Sequence, residues 1–125
     1  MKIQCGTDII EVSRIKDDIE KFKEEFLNRV YTKKEMDYCN SKNVNKYQHF
    51  AARYAAKEAI FKAISLFLDS KYNLTWQDIE ILNYENGRPY VVLNTNKIGN
   101  NISIDISLSH IKEYAIAYCV VTVNE

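Results

Sequence analysis

Two histidines are too few for a histidine-rich metal site, and they leave a Ser-His-Asp hydrolase no spare partners. The three cysteines, Cys5, Cys39 and Cys119, are odd in number and form no CxxC pair. That speaks against both a disulfide framework and a structural zinc site. Each lies among apolar neighbours at a predicted strand or helix end, where a free cysteine behaves as a small hydrophobe. Lysine plus arginine number 17 and aspartate plus glutamate 17, so the basic excess of a general nucleic-acid or membrane-surface binder is missing. The N-terminus lacks the apolar run of a signal peptide, and no stretch reaches the length of a membrane span. The expectation is one domain over residues 1–125 in a reducing cytoplasm, with no nucleic-acid or membrane partner.

The single proline and the three glycines all lie outside Phe50 to Leu68, a stretch rich in Ala, Leu, Lys and Glu. Helix is the least costly conformation there. Ile60, Ala63, Ile64 and Phe67 recur at i, i+3, i+4 and i+7 as one apolar face, with Phe50, Tyr54, Phe61 and Leu68 in a second row. Glu58 and Lys62 sit one turn apart on the side roughly opposite Ile60 and Ile64. On spacing alone they read as a solvated i,i+4 ion pair.

Around this helix the chain alternates enough to place the other elements. Residues 2–10 predict a strand with Ile3, Cys5, Thr7 and Ile9 on one face. Gly6 lets another backbone come close, and Asp8 is an unusual strand residue that needs a reason. Ser13, a candidate N-cap, opens an amphipathic helix to about Arg29 with Ile15, Ile19, Phe22 and Phe26 on its apolar side. Thr32 to Glu35 has capping-box spacing for a short helix to about Cys39, and Asn40 to Asn45 is a loop. The helical pattern stops from Asp69 to Gln77, where Trp76 plugs a core edge. Strands over 78–84 and 90–93 flank Asn86-Gly87, a hairpin signal. Strict alternation marks 102–109, and the apolar run Tyr114 to Val123 reads as a central or interface strand. The fold class is α+β, an antiparallel sheet packed on one long central helix.

Asp8 and Glu58, both on rigid elements, could give two carboxylates to Mg²⁺, which takes few protein oxygens beside water and phosphate. Arg53, Lys57, Lys62, Arg88 and Lys112 would then be free to hold phosphate oxygens. His49 reads as structural, and His110 closes the alternating strand at a hairpin tip.

Gly6-Thr7-Asp8, the run Arg53-Tyr54-Ala55-Ala56-Lys57-Glu58-Ala59 with Lys62-Ala63, Asn86-Gly87-Arg88-Pro89 and Ser107-Leu108-Ser109-His110 occur in this order. Together they resemble the small holo-[acyl-carrier-protein] synthases of the 4′-phosphopantetheinyl transferase superfamily, across essentially the whole chain. The resemblance implies transfer of the 4′-phosphopantetheine arm of coenzyme A to a serine of apo-acyl carrier protein, for fatty acid biosynthesis, releasing adenosine 3′,5′-bisphosphate. It implies Asp8 and Glu58 as magnesium ligands, Lys62 on the pyrophosphate, and His110 with Ser109 at the 3′-phosphate. Arg53, Lys57 and the turn Asn86, Gly87, Arg88, Pro89 would line the rest of the coenzyme A pocket. It implies a homotrimer with sites between subunits, and a carrier-protein surface of Arg14, Ile15, Phe22 and Arg29 on the first helix. Thr7 stands where the family usually has an aliphatic residue and Tyr54 where it has phenylalanine. Ile10 takes the place of a third metal carboxylate found in larger members, so water would complete the shell. Two rivals remain: another Mg²⁺-dependent phosphate-handling enzyme, and a silent trimeric binding module.

Overall fold

Glycine at position 6 decides how close the sheet comes to the long helix. A Cβ built there would lie 2.0 Å from the carbonyl oxygen of Ala59, so only glycine fits the contact. The computed structural model describes residues 1–65, 67 and 74–124. Its elements, in order, are β1 (Lys2–Glu11), α1 (Val12–Phe22), α2 (Glu24–Val30), α3 (Lys33–Asn40) and α4 (Lys46–Ile64). Then come β2 (Ile79–Asn83), β3 (Pro89–Leu93), β4 (Ile102–His110) and β5 (Tyr114–Val123). Among the described residues no helix is long and apolar enough to cross a membrane.

The strands form two antiparallel sheets, β1-β5-β4 and β2-β3. β5 is thus the central strand that its apolar run predicts. In register, Asp8 faces Ala117 and Gly6 faces Cys119, while on the other edge Leu108 also meets Ala117 and His110 meets Ala115. α4 crosses the inner face of this sheet. Its alanines at 51, 52, 55, 56, 59 and 63 are buried, and such small side chains let strands and helices approach from several sides. The anchors are Phe50, Ile60 and Ile64, with Ile79 and Ile81 from β2, each contributing roughly 1.5–3 kcal/mol through burial. Trp76 seals one edge, stacked on Tyr54 at 4.8 Å and edge-on to Phe61 at 5.4 Å.

Three sequence expectations change. The helix expected from Ser13 to Arg29 is two helices, because Lys23 adopts a left-handed φ of 50°. The break turns Phe26 and Val30 into the core and leaves Phe22 45% exposed. Ser13 is not the N-cap; Glu11 holds that position without a side-chain bond, and Val12 N–H instead donates to the Glu113 carbonyl at 2.9 Å. The long helix starts at Lys46, inside the expected window of Val44 to Phe50, but ends at Ile64 instead of running on through Phe67; Leu68 lies outside the described residues. The expected capping box is present: Thr32 Oγ1 accepts from Glu35 N–H, and Thr32 N–H donates to Glu35 Oε1 at 2.8 Å.

Candidate active site

Strand alternation puts Gly6, Asp8 and Ile10 on the face of β1 turned toward α4, and Ile3, Thr7 and Ile9 on the outer face. Asp8 therefore meets the helix one turn beyond the Gly6–Ala59 contact. Lys62 Nζ donates to Asp8 Oδ1 at 3.1 Å and to the Thr7 carbonyl at 3.1 Å. The ion pair of Lys62 thus runs across elements, to the strand, where spacing alone suggested an intrahelical pair with Glu58. Glu58 lies half-buried beside it. Burial, and then the Asp8 carboxylate, push the Glu58 carboxyl above its ordinary range, against the opposing pull of Lys62 and Arg14. Two partly desolvated carboxylates that repel each other are a donor set that a hard divalent cation satisfies. Among the described residues no cluster of three or more His, Cys, Asp or Glu side chains could hold a metal by itself. A cation here would lean on two carboxylates plus non-protein oxygens.

A second group forms about α4's earlier turns. Arg53 is only 2% exposed, with its guanidinium 4.2 Å from the Tyr38 ring centre and bonded to Asn83 Oδ1. Its Nε–H is buried and has no partner. Asn83 in turn donates to the Gly87 carbonyl at 2.9 Å, and Gly87, at φ 90°, makes the turn that a side chain would resist. His110, from the end of β4, meets His49 edge-to-face with ring centres 4.8 Å apart. Arg53, Tyr38, His49, Asn83, Gly87, Pro89 and His110 enclose a cavity of about 150 Å³. A buried guanidinium with an unpaired N–H beside a cavity has the chemistry to hold an anion. Across the turn, Asn86, Arg88 and Pro89 border a larger hollow of about 470 Å³ that reaches Asp105 on β4.

The two groups lie on different sides of α4. Arg53 and Glu58, five residues apart, project about 140° from each other around the helix.

Three expected site residues are placed otherwise. Lys57 does not line the cavity; it is wholly buried, donating to Glu35 Oε1 at 2.7 Å and to the carbonyls of Val30 at 2.6 Å and Trp76 at 3.0 Å. Glu35 also accepts from Ile81 N–H at 2.8 Å, so the pair bolts α4, α3 and β2 together. Ile15 is fully buried and cannot meet a partner. Ser109 lies on the exposed face of β4, opposite His110. Arg14, Phe22 and Arg29 are exposed, as a docking surface requires, and Arg14 borders a third hollow with Ile9, Glu11 and Tyr114. Sequence reasoning missed His49, Tyr38 and Asn83. For His49 a signal existed: it precedes Arg53 by four residues, one helical turn on the same face.

Comparison with known proteins gives the arrangement a family. The model of the 4′-phosphopantetheinyl transferase superfamily matches residues 4–119. The holo-[acyl-carrier-protein] synthase of Ruminiclostridium cellulolyticum is 41% identical, with 100% of this chain and 96% of that protein covered. The crystal structure of Helicobacter pylori holo-[acyl-carrier-protein] synthase in complex with coenzyme A superposes with a TM-score of 0.80 at 32% identity, covering 94% of this chain and 99% of that one. For the Bacillus anthracis holo-(acyl-carrier-protein) synthase in complex with CoA (3′,5′-ADP), the TM-score is 0.77 at 31% identity, with 97% and 96% covered. With full-length identity, the superfamily match and the same fold in agreement, the chain belongs to the holo-[acyl-carrier-protein] synthases of the 4′-phosphopantetheinyl transferase superfamily.

Proposed function

We propose that this chain moves the 4′-phosphopantetheine arm of coenzyme A to a serine of apo-acyl carrier protein. The serine oxygen forms a new bond to the pantetheine-bearing phosphorus as the pyrophosphate P–O bond breaks, and adenosine 3′,5′-bisphosphate leaves. The observation that carries the reading is the meeting of Asp8, Glu58 and Lys62 at the sheet–helix contact. Coenzyme A bound to relatives of at least 31% identity supports the choice of donor.

Asp8 and Glu58 fit a hard divalent cation and would hold Mg²⁺. Bound there, the ion would supply Lewis-acid neutralisation of pyrophosphate charge. Lys62, more than half exposed and already reaching the Asp8 carboxylate, holds the same pyrophosphate and steadies the departing phosphate. Glu58, or a water held beside the ion, would receive the serine proton. The Arg53–His110 cavity takes the 3′-phosphate, and the Asn86 to Pro89 turn lies against the nucleotide.

The outer sheet face supports a homotrimer with shared sites. Ile3, Ile9, Ile116 and Tyr118 are each more than 40% exposed on adjoining β1 and β5, an apolar face suited to a neighbouring copy. The two site halves point to different sides of α4, so an Asp8–Glu58 half from one copy and a turn–His110 half from the next would complete one site. Arg14, Phe22 and Arg29 present a basic and apolar edge for the carrier protein.

An assay of adenosine 3′,5′-bisphosphate release from coenzyme A, with and without apo-acyl carrier protein, tests the reading. Release that needs the carrier protein supports it. Equal release without an acceptor would favour a hydrolase built on the same three side chains.

A further inference from the structure

The 150 Å³ cavity holds one fixed positive charge, Arg53, and two imidazoles that burial keeps neutral. His49 is pushed down to about 4, first by burial and then by His110, Arg53 and Lys42. His110 is lowered by burial and then by Arg53. Facing the pair are Tyr38 from α3, Lys42 from the turn after it, Gln48 and Arg53 from α4, and Asn83 from β2. No carboxylate lines the cavity.

The hydrogen bonds define the neutral state. His110 Nδ1 lies 2.8 Å from Gln48 Oε1, and the Gln48 amide nitrogen is directed to Asn45 Oδ1. An amide oxygen only accepts, so His110 carries its proton on Nδ1 and leaves a bare lone pair on Nε2. A phosphate offers acceptors alone, so neutral His110 cannot donate to it from Nε2.

We propose that His49 and His110 form a proton-linked clamp for the 3′-phosphate of coenzyme A, with His49 a second phosphate-binding residue. This rests on the coenzyme A reading above. As the phosphate enters, it draws one proton from solvent onto the imidazole pair. His110 Nε2–H then donates to a phosphate oxygen while Nδ1–H stays on Gln48. His49, lining the same small cavity, contacts the phosphate from the other side and shares the charge. The affinity for coenzyme A therefore falls as pH rises, and a coenzyme lacking the 3′-phosphate gains nothing from the pair.

The test is the Kd of coenzyme A and of dephospho-coenzyme A between pH 7.0 and 8.5 at constant Mg²⁺, for the natural chain and His49→Phe. Uptake of one proton predicts that the coenzyme A Kd weakens up to about tenfold per pH unit, while that of dephospho-coenzyme A stays flat. His49→Phe should weaken coenzyme A at least about threefold at pH 7.0 and leave dephospho-coenzyme A unchanged, which separates lost phosphate contact from lost fold. Because the chain has two histidines, ring-nitrogen NMR reads them directly: both neutral when free, with imidazolium signals when coenzyme A is bound. Parallel pH slopes for the two coenzymes, or unchanged coenzyme A affinity in His49→Phe, would overturn the clamp. If neither coenzyme binds at any pH, the coenzyme A reading itself fails.

Discussion

Lys62 on α4 and Asp8 on β1, 54 positions apart in the chain, are joined by a 3.1 Å ion pair. That contact depends on the Gly6–Ala59 approach one turn away, where backbone meets backbone. The packing of sheet on helix therefore sets the geometry of the carboxylate site.

Replacing Gly6 by alanine forces the first consequence. Its Cβ would sit 2.0 Å from the Ala59 carbonyl oxygen, so β1 and α4 must separate. Overpacking of this kind costs roughly 1–3 kcal/mol or more. We expect a lower urea midpoint and a larger drop in kcat than in coenzyme A affinity, since Asp8 shifts away from Glu58. A Gly6→Ala protein with natural stability would contradict the contact.

Lys57 and Glu35 are each 0% exposed, and their ion pair is a structural fastener. Lys57→Met strands the Glu35 carboxylate in the core, at a cost of about 3–5 kcal/mol. The double variant Lys57→Met/Glu35→Gln removes the stranded charge and should recover part of that loss. Urea unfolding of Lys57→Met, Glu35→Gln and the double variant gives the coupling directly. Additive losses would show that the two side chains act independently.

His49 also makes stability depend on pH. Its ordinary value is 6.5, and in the folded chain it is lowered to about 4, so the unfolded chain binds more protons between those values. The stability it protects is complete above pH 6.5 and is lost as pH falls toward 4. His49→Phe lacks this loss. Between pH 7 and pH 5 its denaturation midpoint should fall less than that of the natural chain, and an equal fall would show that His49 is not held neutral.

Ile116→Glu sets a charge in the middle of the exposed apolar face of β5, opposite Ile9 and Ser109. In a trimer built on that face the buried carboxylate has no partner, so sedimentation should show monomers, with transfer activity lost together with assembly. A variant that still sediments as a trimer would place the interface elsewhere.

Much of this was legible in local pattern. The alternation of β4, the Thr32–Glu35 capping box, the glycine demanded at position 6 and the proline-free α4 are all written in neighbouring residues. What stayed hidden depends on partners far along the chain. Lys57 looks like a surface lysine until Glu35 on α3 meets it, and His49 looks structural until His110 arrives from β4. The break at Lys23 had no glycine to announce it, because the gain there is the core burial of Phe26 and Val30 rather than any local preference. Ile15 enters the docking surface only through the family resemblance, whereas the helical pattern places it on the apolar stripe, and it is that stripe which meets the core.

The most direct measurement is the intact mass of apo-acyl carrier protein after incubation with this chain, coenzyme A and Mg²⁺. The account predicts a gain of one phosphopantetheine mass, abolished by EDTA and cut by about 10²–10⁴ in rate by Glu58→Gln, whose fold should be intact. A carrier protein of unchanged mass, or a gain that survives both EDTA and Glu58→Gln, would contradict it.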